Sequence, residues 1–145
     1  RVGNRGAGPR RQIDAVDEAI TFLNRVSAVS PLKVSRGLSH AARDHVKDQG
    51  STGATGHNGS DDSSPRERMN RYGSIRLKSG ENISYGFFEA RHIVIMFIID
   101  DGVKSRGHRD NIYDPAFQVV GVHSGGHRDY EWMCVLDFAG GYIEK

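Results

Sequence analysis

The stretch from Glu131 to Ala139 is apolar on both faces of a strand. Trp132, Cys134, Leu136 and Phe138 fall on one side, and Met133, Val135 and Ala139 on the other. An antiparallel strand with one solvated face alternates apolar and polar residues, so this strand belongs inside a sheet covered on both sides. A partner strand is expected over Phe117 to His123, with Ser124-Gly125-Gly126-His127 as the hairpin connection. Helical patterns come before the pair. Helices followed by a doubly covered hairpin imply the α+β class, as a three-layer α-β-α sandwich around a central, mainly antiparallel sheet.

The helical patterns are distinct. Ile13, Val16, Ala19, Ile20, Leu23 and Val26 recur at three- and four-residue steps and predict an amphipathic helix with a buried stripe. A second helix is expected over Leu38 to Val46, capped by Ser35 and stopped by Gly50. Ser51 to Ser64 is a loop by composition. Ser64-Pro65-Arg66-Glu67 has the capping-box pattern of a short helix that ends near Tyr72-Gly73. Gly80 to Gly86 reads as extended. Glu89 to Asp100 is a third substantial helix, with Ala90, Ile93, Val94, Phe97 and Ile98 as its buried stripe and further apolar residues broadening it.

Composition limits the functional classes. A chain of 145 residues with 37% apolar content can bury one core, which implies a single domain over residues 12–145. The first eleven residues hold Arg1, Arg5, Arg10 and Arg11 and no acid, and are expected to form a disordered arm. The remaining 16 Lys and Arg face 18 Asp and Glu, so the body carries −2. A near-neutral body argues against a nucleic-acid partner, which needs clustered basic charge. An anionic contact through the arm is the one exception. No run is long enough for a transmembrane segment. The chain does not begin with Met, consistent with a leader already removed. Cys134 is the only cysteine, so no intramolecular disulfide can form; it reads as a small buried hydrophobe.

Polar chemistry gathers at three places. Asp100 to Pro115 is a charged turn holding His108 between Gly107 and Arg109. His57 sits in the Gly-rich loop between Gly56 and Asn58. Glu81 lies in Gly80-Glu81-Asn82-Ile83. His57, Glu81, Asp100 and His108 are expected to meet in one polar cleft. Asp101 competes with Asp100 as its second acid, and two acids at a helix C-terminus oppose the dipole. Other histidines suit structural roles: His40 as exposed, His45 as packed in the core, His123 and His127 as exposed turn residues, with a metal-binding pair as the alternative for the last two. Asp61-Asp62 lacks the spacing of a calcium loop.

The motifs Leu38…Ala41-Ala42…His45, Gly56-His57, Gly80-Glu81-Asn82-Ile83, Gly107-His108-Arg109-Asp110-Asn111-Ile112 and Phe117…Val120-Gly121-Val122 occur in an order that resembles the CAP superfamily. This is the group of cysteine-rich secretory proteins, antigen 5 and plant pathogenesis-related proteins, and the likeness is to its disulfide-poor bacterial-type members. The resemblance implies an extracellular, secreted SCP-like domain with two histidines and two acids in a central cleft: His57, Glu81, His108 and, three residues after Phe97, Asp100. His57 and His108 would be ligands of a divalent metal, zinc suiting nitrogen best. Alternatively, the carboxylates accept hydrogen bonds from the imidazoles and stabilise the cleft without metal. Relatives are linked to sterol or lipid binding and to host–microbe interaction, which implies a module that binds a lipid, sterol or protein partner. The alternative is a zinc-assisted, peptidase-like hydrolase with Glu81 as base, His57 and His108 on the metal and Asp100 orienting a ligand. No nucleophile elbow or His-Glu-x-x-His helix is present.

Overall fold

The computed structural model describes residues 9–145, with side chains from residue 13 onward. Most of the expected arm therefore lies outside the described residues. The first helix, α1, spans Pro9–Leu23, beginning earlier than the apolar pattern that starts at Ile13. Then come β1 (Lys33–Val34), α2 (Arg36–Thr52), α3 (Pro65–Arg71), β2 (Gly73–Ile75), β3 (Ser79–Tyr85), α4 (Ala90–Ile99), α5 (Gly107–Tyr113), β4 (Val119–His127), β5 (Glu131–Ala139) and β6 (Tyr142–Glu144).

β5 is central, as its two apolar faces require. The sheet order is β1-β4-β5-β3; β4 and β3 flank β5 antiparallel, and β1 joins β4 in parallel. On one face Met133 and Val135 pack with Ala42, Val46 and Ile83, and Ala139 packs with Leu38, Ala41 and Met69. On the other, Cys134 and Leu136 meet Ile93 and Phe97 of α4 and Ile112 of α5. The architecture is the α-β-α sandwich. Cys134 is buried and free, and burial pushes its thiol up to about 11, as fits a small hydrophobe. Ser64 and Glu67 form the expected capping box of α3.

Several local expectations give way. The hairpin turn is not Ser124–His127: β4 continues through those residues and turns at Arg128–Tyr130. Gly125 and Gly126 serve packing instead. A Cβ on Gly125 would lie 2.9 Å from Val46, and one on Gly50 would lie 2.4 Å from the Gly126 carbonyl oxygen. Gly50 therefore sits inside α2 at a close crossing and does not stop it. The helix ends at Gly53, in the left-handed conformation that glycine favours.

The α1 stripe is only partly covered. Ala15 and Ala19 face the core, whereas Ile13, Val16, Ile20 and Leu23 are exposed. On α4, Ala90 and Val94 are exposed and Ile93 and Phe97 carry the burial. The charged turn contains a helix, α5, which its few apolar residues concealed. Among the described residues no helix is long and apolar enough to cross a membrane.

Candidate functional site

The loop bearing His57 is pinned from two sides. His45 Nε2–H and Gln49 Nε2–H of α2 both donate to the Gly56 carbonyl, at 2.9 and 2.8 Å, and the Gly56 amide donates to Tyr85 Oη at 2.9 Å. Gly56 has φ 108°, which a side chain would strain. His45 is fully buried, as expected of a core histidine, and burial holds its pKa below the ordinary value, keeping the ring neutral. The pinned loop presents His57, half exposed, whose Nδ1–H donates to Glu81 Oε1 at 2.8 Å.

Glu81 is anchored from below. Its other oxygen accepts from Arg68 Nη2 at 2.8 Å, and the Arg68 side chain is itself buried. Burial works to raise the Glu81 pKa, but the hydrogen bond from His57 and the charge of Arg68 outweigh it and hold the group below its ordinary value.

Asp100 and His108 form a second pair. Asp100 closes α4 in the left-handed conformation (φ 52°) and turns its carboxylate to the start of α5. Oδ1 accepts from His108 Nδ1–H at 2.7 Å, and Oδ2 accepts from the His108 amide at 2.9 Å. The acid that opposes the α4 dipole thus serves the amide end of α5, which resolves the conflict. The hydrogen bonds to His108 come from Asp100, and Asp101 lines a cleft with Asp14, Glu18 and Arg106. Arg109, buried, donates to the Ile98 and Ile99 carbonyls at the end of α4 and to Glu18 of α1.

Asn82 ties β3 to α5. Its amide donates to the His108 carbonyl at 3.0 Å and its oxygen accepts from Asn111 at 2.8 Å. Gly80 leaves room for Asn111, which a Cβ would approach to 2.9 Å. The Gly80–Ile83 and Gly107–Ile112 motifs therefore interlock. The structure brings His57 to Glu81 and His108 to Asp100. Each pair is hydrogen-bonded internally; the Asn82 side chain bonds to His108 and Asn111 only, and no hydrogen bond links the two pairs among the described residues.

The family follows from the matched extent. A model of the cysteine-rich secretory protein family matches residues 14–138. The chain belongs to the CAP family. Solved CAP-like structures share the fold at low identity. An outer surface protein from Borrelia burgdorferi is 18% identical with a TM-score of 0.65, covering 99% of this chain and 100% of that one. An extracellular protein containing an SCP domain from Bacillus anthracis is 19% identical with a TM-score of 0.62, covering 90% and 40%. A cysteine-rich secretory protein from Staphylococcus aureus is 18% identical with a TM-score of 0.53, covering 99% and 42%. This CAP domain thus spans about two fifths of the latter two chains. No curated protein matched the sequence.

Other residues depart from the expected roles. His127 is buried, not exposed: its Nε2–H donates to the Ala54 carbonyl at 2.9 Å, and its Nδ1 accepts from the Asp129 and Tyr130 amides. It closes the β4–β5 turn because that turn lies beyond it. His40 is half-buried against the Tyr72 ring. Arg68, Asn82, Arg109 and Asn111 were not among the expected site residues. Asn82, Arg109 and Asn111 lie inside the two motifs, so motif position was the available signal; for Arg68 there was none.

Metal chemistry is limited by the donor set. Both imidazoles use Nδ1 on a carboxylate, which orients Nε2 as metal-bound histidines are oriented. Yet among the described residues no three His, Cys, Asp or Glu side chains are grouped to hold an ion. Two imidazole nitrogens fall short of the three protein ligands of catalytic zinc. Glu81, held below its ordinary pKa, also lacks the raised pKa that suits a carboxylate base at neutral pH.

Proposed function

We propose that this CAP domain is an extracellular binding module that takes the acyl chain of a single-chain lipid between α1 and α4. The observation that carries this is a groove of about 220 Å³ lined only by Val16, Ala19, Ile20, Leu23, Ile95, Ile98 and Ile99. An apolar groove left uncovered on a protein surface is a candidate contact for an apolar ligand, and covering it contributes about 25 cal/mol per Å². The test is saturable binding of a labelled sixteen-carbon fatty acid. Ile20→Glu and Ile95→Glu change already exposed positions and are expected to weaken binding by about tenfold or more, whereas His57→Ala with His108→Ala leaves it intact. Absent saturable binding, or equal binding by the groove variants, would sink the reading.

A second reading concerns the His–carboxylate pairs. The free Nε2 atoms of His57 and His108 favour a divalent-ion site with water filling the remaining positions, zinc suiting the nitrogen donors. Such a site is weak by its ligand count. Calorimetric titration with zinc is expected to show binding that the double alanine variant loses; equal heats from both proteins count against it.

A further inference from the structure

Asp137 lies on β5 directly opposite Glu81 of β3 and Gly121 of β4, so its side chain points to the same face as Glu81. That face is sealed. Gly121 has no side chain, and the α2 backbone at Leu38–Ser39 closes over it, within 2.4 Å of where a Cβ would stand. Asp137 is 0% exposed, and among the described residues neither of its oxygens has a hydrogen-bond donor.

The groups facing it leave one solution. Glu81 faces it from β3; Arg68 of α3 and Tyr142 of β6 lie within electrostatic reach of it, and neutral His45 of α2 within reach of Glu81. Among the described residues Arg68 is the one cation of the cluster. Its Nη2 is committed to Glu81 and its Nη1 to the Ser63 carbonyl, and its buried Nε makes no hydrogen bond to Asp137 or to any other described residue. One guanidinium cannot neutralise two adjacent buried carboxylates, and two such charges repel strongly at low dielectric. Glu81 holds the hydrogen bonds that favour ionisation; Asp137 holds none.

We propose that Asp137 keeps its proton at neutral pH and donates it to Glu81, forming an acid–carboxylate pair that fixes the Glu81 oxygens toward His57 and Arg68. Asp137 is then a positioning residue acting through Glu81, a role that goes beyond the groove reading and does not rest on it. Burial first, then the neighbouring charge of Glu81, raises the Asp137 pKa well above the ordinary range, in agreement.

Infrared difference spectroscopy tests this on the unaltered chain. A protonated carboxylic acid band is expected at pH 7, moving on carboxyl-¹³C aspartate labelling. It should vanish in Asp137→Asn, whose amide still donates to Glu81 and keeps the His57 Nδ1–H resonance in place. Asp137→Leu, which cannot donate, is expected to lose that resonance. A wild-type spectrum with no labelled acid band at pH 7 overturns the proposal, as does an Asp137→Leu variant with an unmoved His57 resonance.

Discussion

Arg68 Nη2 donates to Glu81 Oε2 across 2.8 Å, with the two side chains only 2% and 1% exposed. The pair lies beneath half-exposed His57, so the surface histidine is held by charges that water does not reach. Breaking a buried pair by removing one partner strands the other charge. Arg68→Met is therefore expected to destabilise the fold by about 3–5 kcal/mol, and Arg68→Met with Glu81→Gln by less. Urea unfolding of the single and double variants measures this; additive losses would show the two residues to be independent.

Asp100 joins α4 to α5 through its carboxylate and its left-handed backbone. Asn tolerates that conformation and keeps one acceptor, whereas Ala keeps neither advantage. Asp100→Asn is expected to cost about 1 kcal/mol and Asp100→Ala about 2–3 kcal/mol in urea unfolding. Equal losses would place the cost in the charge alone.

Glu18 ties α1 to the rest of the molecule, accepting from Arg106 and Arg109. The hydrogen bonds from Arg106, then Arg109, hold its pKa down at about 2. A carboxylate depressed in the folded state contributes stability that is present above its unfolded value near 4.3 and lost as pH falls toward 2. The side chain is 46% exposed, so solvent screening limits the contribution to about 1 kcal/mol. The stability gap between wild type and Glu18→Gln should close as pH falls through that window. A gap independent of pH would contradict this.

Asp137 predicts the opposite slope. A carboxyl with a raised native pKa binds its proton more tightly when folded, so its contribution is full below the unfolded value of about 3.9 and is lost as pH rises from there through the raised native value. Asp137→Asn lacks that titration. The variant is expected to gain on wild type as pH rises from 4 to 8 in denaturant titrations, and a constant difference would count against a protonated Asp137.

The layer architecture was legible because β5 is apolar on both faces, a pattern that only a central covered strand satisfies. Its bounds, and those of α3 with its capping box, are as read. Gly125-Gly126 carries a turn signal that points to a hairpin there, while in the fold these glycines admit α2. Periodicity marks α1 as amphipathic but does not say what covers its apolar side, and the fold leaves Ile13, Val16, Ile20 and Leu23 exposed. α5, with only Ile112 and Tyr113 as large apolar residues, and the two- and three-residue strands β1, β2 and β6 are too short for a pattern. In the site, His57, Glu81, Asp100 and His108 stood out through their motifs. Arg68 and Asp137 did not, since a charged residue in a short helix or a strand reads as solvated until the fold brings both to Glu81, Asp137 by strand register and Arg68 by its hydrogen bond.

The groove between α1 and α4 is tested most directly by amide and methyl chemical-shift mapping during titration with a sixteen-carbon fatty acid. Saturable shifts centred on Val16, Ala19, Ile20, Leu23, Ile95, Ile98 and Ile99 are predicted. Shifts confined to the His57 and His108 region, or none at saturating lipid, would contradict it.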